Sequence, residues 1–264
     1  MRLRFFAAYL LWATYSAAQS GIYPPLAGMI KDNNGILRPV FGTTGNFVVG
    51  NGIASGVVSV AFDGNHGLAK MPTSLLIIGS NGLPVCELPA PQGVALLALG
   101  ANLGRDLVYY PETSELVYLR GCDASPEILP KPGVGGEILS LALTGEGSAR
   151  VIFNLDGGCW LAEISLFTGV VIQQSYLGEL ESPVLLGQNG ALAFMREGDL
   201  VVRTRNAIER HYKIGAPVNK INQIGTDWLT LELATQDNEP GGRFALRLVA
   251  EGDERLYRLP EVHP

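Results

Sequence analysis

Short apolar runs broken by Gly, Pro, Asn and Asp recur along most of this chain, and no long stretch carries apolar residues at helical spacing. The segment from Glu137 to Tyr176 is the clearest case, with four runs separated by three turn signals, and it predicts one four-stranded sheet. The rest of the chain reads as approximate copies. The first is GVVSVAF (56–62), GLAKM (67–71), SLLIIG (74–79) and PVCEL (84–88), with Ser80-Asn81-Gly82 turning its third run into its fourth. The second is VALLALG (94–100), DLVYYP (106–111), ELVYLR (115–120) and PEILP (126–130). After the Glu137–Tyr176 copy come PVLLG (183–187), ALAFMR (191–196), LVVRTR (200–205) and IERHYK (208–213). The last is VNKINQI (218–224), WLTLEL (228–233), FALRLV (244–249) and RLYRLP (255–260).

The second runs begin at residues 67, 106, 149, 191 and 228, a period of about 40 residues with four strands per unit. One four-stranded sheet of this size cannot cover its own two faces and must stack against neighbours. The expectation is therefore an all-β β-propeller of about five four-stranded blades. Six blades with one incomplete, or an irregular β-sandwich, are the alternatives. The fourth run of a copy is the most polar, as in IERHYK, which suits an outer rim whose charges resist pairing with other chains. The runs ILRPVF and NFVVG between Ile36 and Gly50, joined by Gly42-Thr43-Thr44-Gly45, fall outside the repeat and are expected to help close the ring. The Pro-, Gly- and Asn-rich residues 19–35 read as a lead-in along the surface, which sets the domains as 1–18, 19–50 and 51–264.

Trp160 to Val170, WLAEISLFTGV, resembles the strand, Thr-Gly turn, strand signature of secreted bacterial β-propellers with quinoprotein-like and YVTN-type repeats, with Thr168-Gly169 in the turn. The resemblance covers residues 56–260 as spacing and one blade as motif, so it implies the propeller fold and carries over no catalytic residue and no cofactor.

Composition narrows the partners and the compartment. With a formal net charge of −6 and a pI near 5.1 the chain has no electrostatic reason to bind nucleic acid. Arg2 and Arg4, the apolar run Phe5–Tyr15 and the small residues Ser16-Ala17-Ala18 read as an export signal cut before Gln19, placing the mature chain in the periplasm or outside the cell. No later segment has the roughly 20 uninterrupted apolar residues of a membrane helix. Three cysteines, Cys86, Cys122 and Cys159, cannot all pair within one chain. Three buried thiols are expected, and a Cys86–Cys122 bridge is the alternative if neighbouring copies bring the two together.

Candidate chemistry is sparse. The turn between second and third runs carries an acid in four copies, Glu112, Asp156, Glu197 and Asp237, which in a radial arrangement share one face and would attract a cation or a basic partner. Tyr109 and Tyr110 would add an aromatic patch on that face, or pack into the sheet interface. Of three histidines, His66 lies in the turn Asp63-Gly64-Asn65-His66-Gly67, His211 on a polar outer run and His263 next to the last residue. The first runs are nearly all apolar except VNKINQI, so Asn219, Lys220 and Asn222 are the expected polar groups of the central channel. These features favour a non-catalytic binding or scaffold module for a protein, peptide or glycan. A propeller-type hydrolase or lyase acting on carbohydrate or lactone substrates with a channel metal is the alternative.

Overall fold

The computed structural model describes residues 24–43, 46–100, 105–145, 147–187, 190–224, 228–234, 242–248 and 256–260. The leader assigned to residues 1–18, Asp237 and His263 lie outside them. Six antiparallel sheets are arranged around a central channel. Blade 1 is β1 (Leu26–Lys31), β2 (Leu37–Thr43) and β3 (Asn46–Val49). Blade 2 is β4 (Ser59–Phe62), β5 (Gly67–Lys70), β6 (Ser74–Ile78) and β7 (Pro84–Pro89). Blade 3 follows as β8 (Leu96–Ala98), β9 (Asp106–Tyr110), β10 (Glu115–Leu119) and β11 (Glu127–Leu129). Blade 4 is β12 (Glu137–Leu143), β13 (Ser148–Leu155), β14 (Gly158–Ser165) and β15 (Val171–Gly178). Blade 5 is β16 (Glu181–Leu186), β17 (Leu192–Arg196), β18 (Asp199–Arg203) and β19 (Glu209–Lys213). Blade 6 is β20 (Val218–Gln223), β21 (Trp228–Leu233), β22 (Arg243–Arg247) and β23 (Leu256–Arg258).

The runs read as strands coincide with β4 to β23, their ends moving by a few residues. The count of five blades is corrected to six, the alternative with one incomplete sheet. Blade 1 escapes the repeat because its three described strands fit within residues 26–49, and Gly28, Pro39 and Gly42 interrupt its apolar alternation. Of the segment 19–35 read as a surface lead-in, the described part, 24–35, belongs to blade 1, since β1 buries Met29 and Ile30.

The core is divided into six pads, one at each interface between neighbouring blades. Alternation along a strand sends successive side chains to opposite pads. Leu107 and Tyr109 of β9 enter the pad shared with blade 4, whereas Val108 and Tyr110 enter the pad shared with blade 2. A blade buries both faces this way, which no single sheet achieves alone.

Blade 1 closes the ring. Its Phe47 ring meets Trp228 and Tyr257 of blade 6 edge-on at centroid distances of 5.1 and 6.1 Å. On its other face Met29 and Leu37 pack with Val60, Phe62 and Ile78 of blade 2. Strand β1 runs opposite to β20, with Gly28 against Ile224 at one end and Lys31 beside Lys220 at the other. A Cβ on Gly28 would lie 2.8 Å from that of Ile224, so only glycine permits this approach. The reversed direction gives β1, β2 and β3 the second, third and fourth positions of a blade, and no described residue takes the innermost one. There β4 and β20 meet directly through a parallel bridge between Phe62 and Ile224.

Covalent and polar links reinforce the interface between blades 2 and 3. Cys86 and Cys122 form a disulfide with Cα atoms 6.0 Å apart, which corrects the expectation of three thiols, while Cys159 is free and buried. The stacking of neighbouring copies brings the two sulfurs together, although 36 positions separate them in sequence. Elsewhere the Ser140 Oγ accepts the Leu186 amide across blades 4 and 5 at 2.8 Å, buried within the ring.

Candidate functional site

The innermost strands β4, β8, β12, β16 and β20 surround a central cavity of about 370 Å³, and blade 1 contributes no side chain to it. The size lies in the range of small-molecule pockets. Four of its walls are apolar but for the serines Ser59, Ser140 and Ser182. The fifth, β20, presents Lys220, Asn222 and Gln223, and no Asp, Glu or His lines the cavity among the described residues.

Pleating carries the polar wall outward. Lys220 and Asn222 share a face of β20, and the antiparallel register sets them opposite Glu232 and Thr230 of β21. This face turns toward blade 1, where Lys31 and Arg243 complete a polar seam. Val60, Lys220 and Asn222 line both the seam and the central cavity, so the two spaces adjoin there. Burial is the main influence lowering the Lys220 pKa below its ordinary value; the positive charges of Lys31 and Arg243 add to it, and Glu232 partly offsets it. Arg243 is likewise lowered by burial against the pull of Glu232 and Asp32, and its Nη2 donates to Asn33 Oδ1 at 2.7 Å. Asp32 itself is engaged, accepting the Asn34 and Ile36 amides and the Arg38 Nε at 2.7 Å.

The residues singled out in the sequence are dispersed. Lys220 and Asn222 line the cavity, whereas Asn219 is exposed and absent from its walls, with Gln223 there instead. Gln223 was readable as the next polar position of the same run. Lys31 and Arg243 lie on other strands, far away in sequence, and no local signal linked them to the channel. Tyr109 and Tyr110 form no aromatic patch, being 8% and 4% exposed on opposite faces of blade 3. Burial, with Glu115 nearby, pushes the Tyr110 phenol up to about 12.

The acidic turns have local explanations. Asp156-Gly157 and Glu197-Gly198 both place two residues at positive φ, which is the two-residue hairpin geometry that matches strand twist. Glu112 is exposed and interacts with Lys70, a fully buried lysine whose ammonium donates to the carbonyls of Met71 and Pro72.

His66 is 1% exposed, so it presents nothing to solvent. Its Nε2 lies 2.8 Å from Oδ1 of the fully buried Asp106 in blade 3, and its Nδ1 lies 3.4 Å from Asp63 Oδ2. Asp63 Oδ1 accepts the amides of Asn65 and His66, and Asp106 Oδ1 also accepts the Gly100 amide at 3.0 Å. Burial by itself lowers the imidazole pKa, but the Asp106 hydrogen bond and the charges of Asp106 and Asp63 outweigh it, so His66 is held above its ordinary range. The arrangement clamps two blades. His211 sits on β19, half exposed, 3.9 Å from Glu209.

Six sheets around a bore define a β-propeller. No protein-family model and no curated protein matches the chain. Among solved structures it is similar to virginiamycin B lyase from Staphylococcus aureus, at 13% identity and a TM-score of 0.46 over 90% of this chain and 85% of that one. It is also similar to PorZ, a surface component of the type-IX secretion system of Porphyromonas gingivalis, at 13% identity and a TM-score of 0.48, covering 92% of this chain and 40% of that one. A third likeness is to BBS1N, solved in complex with ARL6DN, at 13% identity and a TM-score of 0.46 over 85% and 78% of the two chains. At this level the likeness is one of fold. Among the described residues no helix is long and apolar enough to cross a membrane, and no group of three or more His, Cys, Asp or Glu is placed to hold a metal.

Proposed function

We propose that this protein is an exported, non-catalytic binding propeller that takes an extended segment of a protein partner onto the outer edge of blade 4. The observation that carries the reading is strand β15, VIQQSYLG. It is 8 residues long and free of charge, as is the 4-residue β3, against Glu87 on β7, Glu127 on β11, Glu209, Arg210, His211 and Lys213 on β19 and Arg258 on β23. Such charges discourage edge-to-edge pairing, and their omission from the longest edge leaves its backbone amides and carbonyls open to another strand. Bulges lie at its two ends, leaving Gln173–Tyr176 regularly paired with β14. Ile172 and Tyr176 are 61% and 57% exposed on this edge, and Phe167 and Val170 are exposed just before it.

An added strand gains affinity from main-chain hydrogen bonds and specificity from pockets for alternate side chains. A cavity of about 130 Å³ lined by Arg150, Leu161, Glu163, Gln173 and Ser175 flanks β15 and suits the second role. The Cys86–Cys122 bridge supports an oxidising compartment, in keeping with a leader at residues 1–18. Among the described residues no Asp, Glu or His lines the channel, which supports binding over catalysis.

The test uses the mature chain as bait in the exported fraction, beside a double variant, Ile172→Lys with Gln174→Lys, that places charges on the edge. A partner captured by the wild type and lost by the folded variant is expected. Equal capture by both removes the edge from the account, self-association read by light scattering makes the occupant a second copy, and capture by neither overturns the binding reading.

A further inference from the structure

The polar seam behind β20 has more positive than negative charge in a chain whose net charge is −6. Among the described residues lining the seam, Lys31, Lys220 and Arg243 meet one carboxylate, that of Glu232, while Asp32 acts on Arg243 from outside it. Arg243 is satisfied in part by Asn33, but no carboxylate lies within ion-pair distance of Lys31 or Lys220 among the described residues. A half-buried ammonium gives up part of its hydration, and an anion entering beside it would restore that loss. The position is accessible from the bore, because Lys220 and Asn222 also form one wall of the 370 Å³ central cavity. The opposing walls, with Leu96, Leu139, Val184 and Leu185, offer apolar surface and no competing charge.

We propose that the channel binds a small amphipathic monoanion, its acidic head on the Lys220 ammonium and the Asn222 amide and its apolar body against the inner strands of blades 3 to 5. The polar wall sets the orientation of the ligand, and the apolar walls contribute most of its buried area. Asn222 supplies amide donors where Lys220 supplies charge, so a planar acid reaches both. This site lies on innermost strands and β15 is an outermost one, so its fate is independent of the partner reading.

Two fluorescent probes with a common apolar body test it: anilinonaphthalene sulfonate, which carries an anionic head, and neutral phenylnaphthylamine. A hydrogen bond to a charged group in a partly buried site corresponds to about 10- to 100-fold in affinity. Lys220→Met is therefore expected to weaken the sulfonate by that factor and leave the neutral probe within about 2-fold of wild type. Asn222→Leu, which keeps the charge, is expected to weaken the sulfonate by several-fold only. Circular dichroism and thermal melting establish that both variants are folded. The proposal is overturned if the sulfonate binds wild type and folded Lys220→Met equally, or if folded wild type binds neither probe.

Discussion

His66 shows how a residue in an ordinary-looking turn becomes structural through a partner 40 positions away. With Nε2 donating to Asp106, the neutral ring must turn the Nδ1 lone pair toward the Asp63 carboxylate, whereas the protonated ring offers a second N–H. The folded state therefore prefers the charged imidazole, and its pKa lies above the unfolded value. Such a contribution is fully present below the unfolded pKa and is lost as pH rises through the folded one. Thermal stability is expected to fall across the neutral to mildly alkaline range, and a His66→Gln variant is expected to lose that slope. His66→Ala strands the fully buried Asp106 carboxylate, at a cost of about 3–5 kcal/mol in chemical denaturation. The cysteines divide differently. Alkylation of the native protein should leave Cys159 unmodified because it is buried, denaturation should expose that one thiol, and denaturation with reductant should expose all three. Closing a loop of 36 positions is worth ~4 kcal/mol, so reduction should lower the melting temperature by roughly 8–16 °C.

Among the elements, blade 1 is the latch, and Phe47 is its centre. Truncating this 9% exposed ring is expected to cost about 3–5 kcal/mol, and to shift Trp228 emission to the red as water reaches the indole. The strands of blades 2 to 6 were legible because each is an apolar run bounded by turn chemistry and repeated at an even spacing. Blade 1 was only half legible: LAGMIK carries Gly28 for a close approach to Ile224, and a glycine there looks like a loop residue until the neighbour is known. In the channel, Lys220 and Asn222 stood out against the apolar first runs, but Lys31 and Arg243 join them only through the seam between two sheets. The place of β15 on the outer rim was legible, because VVIQQSY is the fourth run of its copy. What set it apart was hidden, since a rim run without charge differs from IERHYK only by what it lacks.

For the molecule as a whole, the six interfacial pads explain how a chain of 264 residues keeps one continuous ring without a single central core. Each pad needs both its blades, so the seam between blades 1 and 6 decides whether the ring is closed. That seam has a consequence for the order of synthesis. Blade 1 is made before blades 2 to 5, yet Ile30, Val40 and Phe47 find their cover in Ile224, Ala245 and Leu259, which a ribosome delivers only after those blades. One apolar flank of the nascent chain stays without its partner until blade 6 has emerged. Refolding from denaturant should show this as a late step, reported by Trp228, that Phe47→Ala slows or removes while the other blades form at an unchanged rate.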